Sequence, residues 1–201
     1  MRILVVGATG TLGRAVVEHL APQHTVLEAS RHSDLGIDLR DPESIASLFE
    51  QVGKVDAVVS TAGVTAFKNW EEFTLEDFSA GIHDKVLGQI ELVRRGQEFV
   101  TDGGSFTLVS GVLAQRPIPT GAVASTANGA IDAFVRASAP VLPRGMRINA
   151  VSAEAFEETW DAYGPFFPNS TPVPVAQVAQ AFAKSIESSD MSGEVLPVGW
   201  S

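Results

Sequence analysis

The sequence contains no cysteine. Disulfide bonds, thiolate metal sites and cysteine nucleophiles are therefore excluded, and the absence fits a reducing compartment. A single tyrosine, Tyr163, leaves one phenol for any acid–base role. Basic residues are scarce: 14 Lys and Arg stand against 24 Asp and Glu, a formal net charge of −10. A nucleic-acid binder needs a dense basic surface, so that class of partner is excluded. Long apolar runs are missing too. The opening run Ile3-Leu4-Val5-Val6 meets Gly7 at once, too short for a signal peptide or a membrane span. A soluble cytoplasmic protein without a membrane partner is expected. The four histidines, His19, His24, His32 and His83, have no metal-like spacing, so no metal site is expected. They read as surface residues, with His32 close to a phosphate site and His83 near Lys85. Glu154, Glu157 and Glu158 read as a solvated helix face.

What is present is the composition of a folded chain, 45% hydrophobic and 19% charged, at 201 residues long enough for one domain. Short β-branched runs alternate with longer helical stretches, the pattern of a parallel α/β sheet. Strands are expected at 3–6, 25–29, 36–39, 55–60, 105–110, 146–151 and 194–198. These make a single-domain Rossmann-type doubly wound parallel sheet of about seven strands. Helices are expected at 11–21, 42–52, 122–139 and 175–188. Asp41-Pro42 supplies an N-cap followed by proline at the first helical position. Thr74-Leu75-Glu76-Asp77 resembles a capping box and opens a helical region reaching about Val100, interrupted near Gly81. Asp102-Gly103-Gly104 reads as a turn, and 165–174 as a proline-rich loop.

Gly7-Ala8-Thr9-Gly10-Thr11-Leu12-Gly13 sits between the first strand and the first helix. Glycine permits the tight turn there, and a missing Cβ lets backbone approach a pyrophosphate. The helix N-terminus then offers unpaired N–H groups and a positive dipole end. In that context the triplet reads as a dinucleotide site. The residue that reads the adenosine ribose is expected at the end of the second strand, where an NAD site places Asp or Glu. This chain has Ser30-Arg31 instead. A hydroxyl plus a guanidinium suits a 2′-phosphate, so the expected cofactor is NADP. Asp38-Leu39 is placed at the adenine edge, and Thr61-Ala62-Gly63 under the nicotinamide ribose.

These segments resemble the short-chain dehydrogenase/reductase family over nearly the whole length. The glycine loop, Asp38-Leu39 and Ser60-Thr61-Ala62-Gly63 carry the resemblance in the first half. Leu108-Val109-Ser110-Gly111, Arg144 to Val151 and Gly193 to Val198 carry it in the second. The resemblance implies hydride transfer between a nicotinamide and a small carbonyl or alcohol substrate. In the family, a serine and a tyrosine hydrogen-bond the substrate oxygen, and a lysine lowers the tyrosine pKa. It also implies a homodimer or homotetramer formed through helix 122–139 and the helix before it.

The departures from the family bear on the chemistry. Its tyrosine follows the serine by about 13 residues, with a lysine one helical turn further on. The alignment puts Ala124 and Asn128 at those places, so Ser110 lacks its usual partners. Aligning on Gly88 puts Lys85 where the family has asparagine, so lysine and asparagine are exchanged. Lys85 is expected to reach the nicotinamide ribose or to polarise a substrate oxygen, and to supply a proton if burial lowers its pKa. Ser110 and Tyr163 complete the expected catalytic set. Tyr163 enters from a lid over about 152–174, where Trp160, Phe166 and Phe167 are expected to wall a pocket. Ser152-Ala153-Glu154 replaces the family's Pro-Gly after the sixth strand. Two readings stay open: an NADP-dependent oxidoreductase with a non-standard proton donor, and a non-catalytic NADP(H)-binding sensor.

Overall fold

The computed structural model describes residues 1–168 and 170–201. Residue 169, inside the expected proline-rich loop and lid, lies outside the described residues. Seven strands form one parallel sheet in the order β3-β2-β1-β4-β5-β6-β7. They are β1 (Arg2–Val6), β2 (Thr25–Ser30), β3 (Leu35–Gly36), β4 (Val55–Ser60), β5 (Val100–Val109), β6 (Arg147–Ala153) and β7 (Val195–Val198). The helices are α1 (Thr11–Leu20), α2 (Pro42–Val52), α3 (Leu75–Gly81), α4 (Gly88–Gly96), α5 (Ala122–Ser138), α6 (Trp160–Tyr163) and α7 (Val175–Glu187). The strand order reverses between β1 and β4. Open α/β sheets bind ligands at that switch point, outside the carboxyl ends of the strands.

Alternation along β1 divides the core into two layers. Ile3 and Val5 face α1 and α7, where Leu12, Val16 and Leu20 meet Val178 and Phe182. Leu4 and Val6 face the opposite layer, built with α2, α4 and α5 around Phe49, Leu92 and Ile131. Both faces of the sheet are thus covered, as a parallel sheet requires.

Several helix starts follow from local chemistry. The Asp41 carboxylate accepts from the Glu43 N–H at 3.0 Å, with Pro42 at the first helical position. Thr74 and Asp77 make a reciprocal capping box at the start of α3. The interruption expected near Gly81 is a π-helical turn, Ile82–Leu87, joining α3 to α4. Such wide turns recur at functional sites, and this one carries Lys85.

Local patterning misplaced three boundaries. The third strand is Leu35–Gly36, not 36–39, because this edge is defined by pairing Ala29 with Leu35 and Ser30 with Gly36. The helical region ends at Gly96 rather than near Val100, and Val100 already pairs with Val55. Asp102-Gly103-Gly104 is not a turn that starts the strand but an irregularity inside β5. Pairing slips there from Val55 opposite Val100 to Ala57 opposite Ser105, and Gly103 takes a φ of +73°. The stretch expected as a loop contains a short 3-10 turn, Gly164–Phe166, and Val173 bridges to Phe156.

Candidate active site

Two cavities open along the carboxyl edge of the sheet, about 430 Å³ and 290 Å³, and both are lined by Gly10, Thr61, Gly63 and Val64. They form one groove across the switch point.

The smaller end is built by β1, β2 and β4. Gly7 has a φ of +88°, and its N–H donates to the Ala29 carbonyl at 2.8 Å. A Cβ there would lie 2.8 Å from Thr61 Oγ1, so the turn and the 61–63 loop demand glycine together. Thr61 is tied to the end of β1 through its N–H and hydroxyl, both donating to the Val6 carbonyl at 2.9 and 3.0 Å. Thr9, Gly10 and Thr11 are exposed to the groove, while Leu12 and Gly13 are buried beneath it. The N-cap of α1 is Gly10, and among the described residues no side chain caps this N-terminus. Its N–H groups are therefore free for a pyrophosphate. Open backbone at Gly10 and an uncapped helix fit a dinucleotide.

Ser30, Arg31, His32, Asp38 and Leu39 line this smaller end. Ser30 Oγ accepts from the His32 N–H at 3.4 Å. Arg31 is exposed and, among the described residues, in no ion pair. The Arg40 guanidinium donates twice to the Asp38 carboxylate, at 3.0 and 2.6 Å. That guanidinium holds the Asp38 carboxyl well below the usual range, at about 2. The carboxylate is thus ionised and fixed by Arg40 where it lines the adenosine end. Leu39 is buried and packs on Gly88.

Lys85, Ser110, Asn128 and Tyr163 line the larger end together. Lys85 lies against Gly63, where a Cβ would sit 2.8 Å from Lys85 Cγ. Gly63, at φ +136°, supplies both the conformation and the room. Lys85 Nζ donates to the Ser110 carbonyl at 3.4 Å. Burial pushes the ammonium down from 10.5 to about 8, and the Asp132 carboxylate opposes the shift. Tyr163 is 43% exposed at the cavity mouth and sets its ring edge against Phe67, 5.9 Å away. Phe167 lines the cavity, and Phe166 stacks on Phe67 behind it.

Several site residues carry no local signal. Asp132 is buried on α5, one turn beyond Asn128. It accepts from the Ser110 hydroxyl at 2.5 Å and from Gln115 Nε2 at 2.8 Å. Ser110 thus spends its proton on Asp132. Gln89, fully buried, ties the helix carrying Lys85 to β5: it donates to the Lys85 and Val109 carbonyls at 3.0 Å and accepts from the Val109 N–H.

The three glutamates do not form a solvated helix face. Glu154 is buried and lines the cavity. Glu158 accepts from the Val175 N–H at 3.0 and 3.1 Å, closing the N-terminus of α7. Glu157 and Glu158 are both exposed as expected, and Glu157 has no such partner among the described residues. The cause is the path of the chain after β6, which turns the segment back over the sheet edge.

A family model described as Enoyl-(Acyl carrier protein) reductase matches residues 3–199. The crystal structure of the protein lin1944 from Listeria innocua is 46% identical, with a TM-score of 0.96 over 98% of this chain and 99% of that one. A small-chain dehydrogenase in complex with NADPH, 24% identical, shares the fold with a TM-score of 0.89 over 98% of this chain and 96% of that one. Hydroxynaphthalene reductase arp2 of Aspergillus fumigatus is 32% identical over 120 residues, 57% of this chain and 44% of that protein. The chain spans about half the length of the curated relatives it matches. No helix among the described residues is long and apolar enough to cross a membrane. With the family model covering nearly every residue and the sheet, glycine loop and serine strand in their places, this chain belongs to the short-chain dehydrogenase/reductase family of oxidoreductases.

Proposed function

We propose that this chain binds NADP(H) and transfers hydride to or from a small carbonyl or alcohol, with Lys85 as the proton donor. The observation that carries this reading is the Lys85 ammonium, held in the cleft beside Ser110 with its pKa brought down to about 8. A general acid works best when its pKa lies near the operating pH. When bound, the nicotinamide supplies or accepts the hydride. Arg31 and the Ser30 hydroxyl hold the 2′-phosphate, and the N–H groups that open α1 hold the pyrophosphate. In the reducing direction the carbonyl oxygen faces Lys85, which gives up a proton as the carbonyl carbon gains hydride, and water restores the ammonium. Phe67, Tyr163 and Phe167 exclude solvent from the substrate end, with Tyr163 at its mouth. The region 152–174 acts as the lid. Like its family, the chain is expected to act as a homodimer or homotetramer.

The test is NADPH oxidation over a panel of aldehydes, ketones and imines, with NADPH and NADH binding compared. Turnover with NADPH and tighter binding of NADPH than of NADH are expected. Tighter NADH binding would overturn the cofactor assignment. One observation favours a binding-only sensor: the Ser110 proton is committed to Asp132 at 2.5 Å. Tight NADPH binding without turnover on any panel member is the result that reading predicts.

A further inference from the structure

Among the described residues that line the larger cavity, the Asp, Glu, Lys and Arg side chains are those of Lys85 and Glu154. Glu154 is 5% exposed. Its Oε2 is buried and has no hydrogen-bond partner among the described residues. The rest of the residue is held firmly. Its N–H donates to the Val198 carbonyl at 3.0 Å. Its stem packs on Gly199, where a Cβ would lie 3.2 Å from Glu154 Cβ and 3.3 Å from Cγ. The fold therefore fixes the stem and, among the described residues, offers Oε2 no donor of its own. A buried carboxylate without a partner is costly, and that cost is removed when a ligand supplies the donor. Of the neighbouring lining, Ala153, Ala155, Phe156 and Phe167 have apolar side chains, and the hydroxyls of Thr159 and Tyr163 make no hydrogen bond to Glu154 among the described residues.

We propose that Glu154 recognises the substrate, and that the substrate is a small carbonyl compound bearing a cationic nitrogen. This rests on the reading of the cavity as the substrate site. The two charges in the cavity then have separate tasks. Lys85 takes the carbonyl oxygen, where negative charge develops. Glu154 takes the ammonium through a charge-assisted hydrogen bond. An uncharged substrate of the same length leaves Glu154 unpaired, so a site of this kind discriminates against it.

The test is equilibrium binding to the NADP+-loaded protein at pH 7, which needs no turnover. The probes are 4-aminobutan-1-ol and its uncharged counterpart 1-pentanol. The amino alcohol is expected to bind about tenfold tighter or better. Glu154→Gln is expected to erase that preference while leaving NADP+ and pentanol affinity unchanged. Glu154→Ala, which removes the group altogether, is expected to do the same. Equal affinity of the wild type for both alcohols, no saturable binding of the amino alcohol, or a preference that survives in both variants would overturn the proposal. A tenfold loss of NADP+ affinity in Glu154→Gln would overturn it too, by placing the residue on the cofactor. Failure of every carbonyl to turn over sinks hydride transfer but not this binding result, so the two readings fail separately.

Discussion

Replacing Gly13 and Gly10 by alanine, one at a time, separates the structural from the ligand-facing duties of the glycine loop. Gly13 lies inside α1. In an exposed helix, glycine to alanine gains about 1 kcal/mol. Here the new Cβ would lie 2.7 Å from the Gly7 carbonyl carbon and 2.8 Å from Ala8 Cα, and closer still to the Gly7 carbonyl oxygen. Those are backbone atoms that cannot swing aside, and overpacking of that kind costs about 1–3 kcal/mol or more. Overlap with fixed backbone falls at the upper end of that range, about 3 kcal/mol, so against the propensity gain Gly13→Ala should lose about 2 kcal/mol net. Gly10 differs. Its φ of −74° suits alanine, and the nearest atom to a new Cβ is the Gly7 carbonyl oxygen at 3.4 Å. Stability should change by less than about 1 kcal/mol, the usual scale of an N-cap change. The added methyl projects into the groove, so NADPH affinity should fall about tenfold or more, about 1.4 kcal/mol. Urea unfolding reads the first quantity and a fluorescence titration with NADPH the second. Gly13→Ala as stable as wild type, or Gly10→Ala with undiminished NADPH binding, would refute the reasoning.

Arg31→Ala should weaken NADPH binding about tenfold and leave NADH binding alone; equal losses for both would remove Arg31 from the 2′-phosphate. Glu158→Ala frees the Val175 N–H at the start of α7 and should cost about 1 kcal/mol, seen as a fall of about 2–4 °C in Tm. Lys85→Met should raise stability at pH 7. The folded-state pKa of Lys85 is about 8 against 10.5, so between those values the unfolded chain binds more protons and stability rises with pH. The burial penalty, on the order of 3 kcal/mol at neutral pH, fades as the pH climbs from about 8 to about 10.5. The gap between Lys85→Met and wild type in urea unfolding should therefore close across that window.

What could be read in the sequence is what local chemistry determines. Asp41-Pro42 and Thr74 with Asp77 start helices because their partners lie within three residues. The order of strands and helices followed from hydrophobic runs that the sheet buries on both faces. The glycine loop announced its groove because its backbone demands are local. The edge strand β3 was misplaced because two residues of pairing leave no pattern of their own. Asp102-Gly103-Gly104 carries turn residues, yet pairing with β4 continues past it. In the site, alignment singled out Lys85 and Asn128, and both line the larger cavity. Asp132, Gln89 and Glu154 were not legible, because their roles arise from contacts across the fold. Their environments are set by Ser110 just after β5, by the end of that strand and by Gly199 after β7. Charge also misled: a glutamate-rich stretch suggested solvent, but the path after β6 buries Glu154 and aims Glu158 at α7.

The central claim is that Lys85 gives the proton in a carbonyl reduction. The most direct measurement is the pH dependence of kcat/KM for NADPH oxidation, wild type beside Lys85→Met, on a carbonyl found in the substrate panel. The ammonium is the active form, so the wild-type rate should fall as pH rises through about 8. Lys85→Met should be slower by about 100-fold or more at pH 7 and should lack that break. A variant that keeps the wild-type rate and the same break near pH 8 would contradict the account.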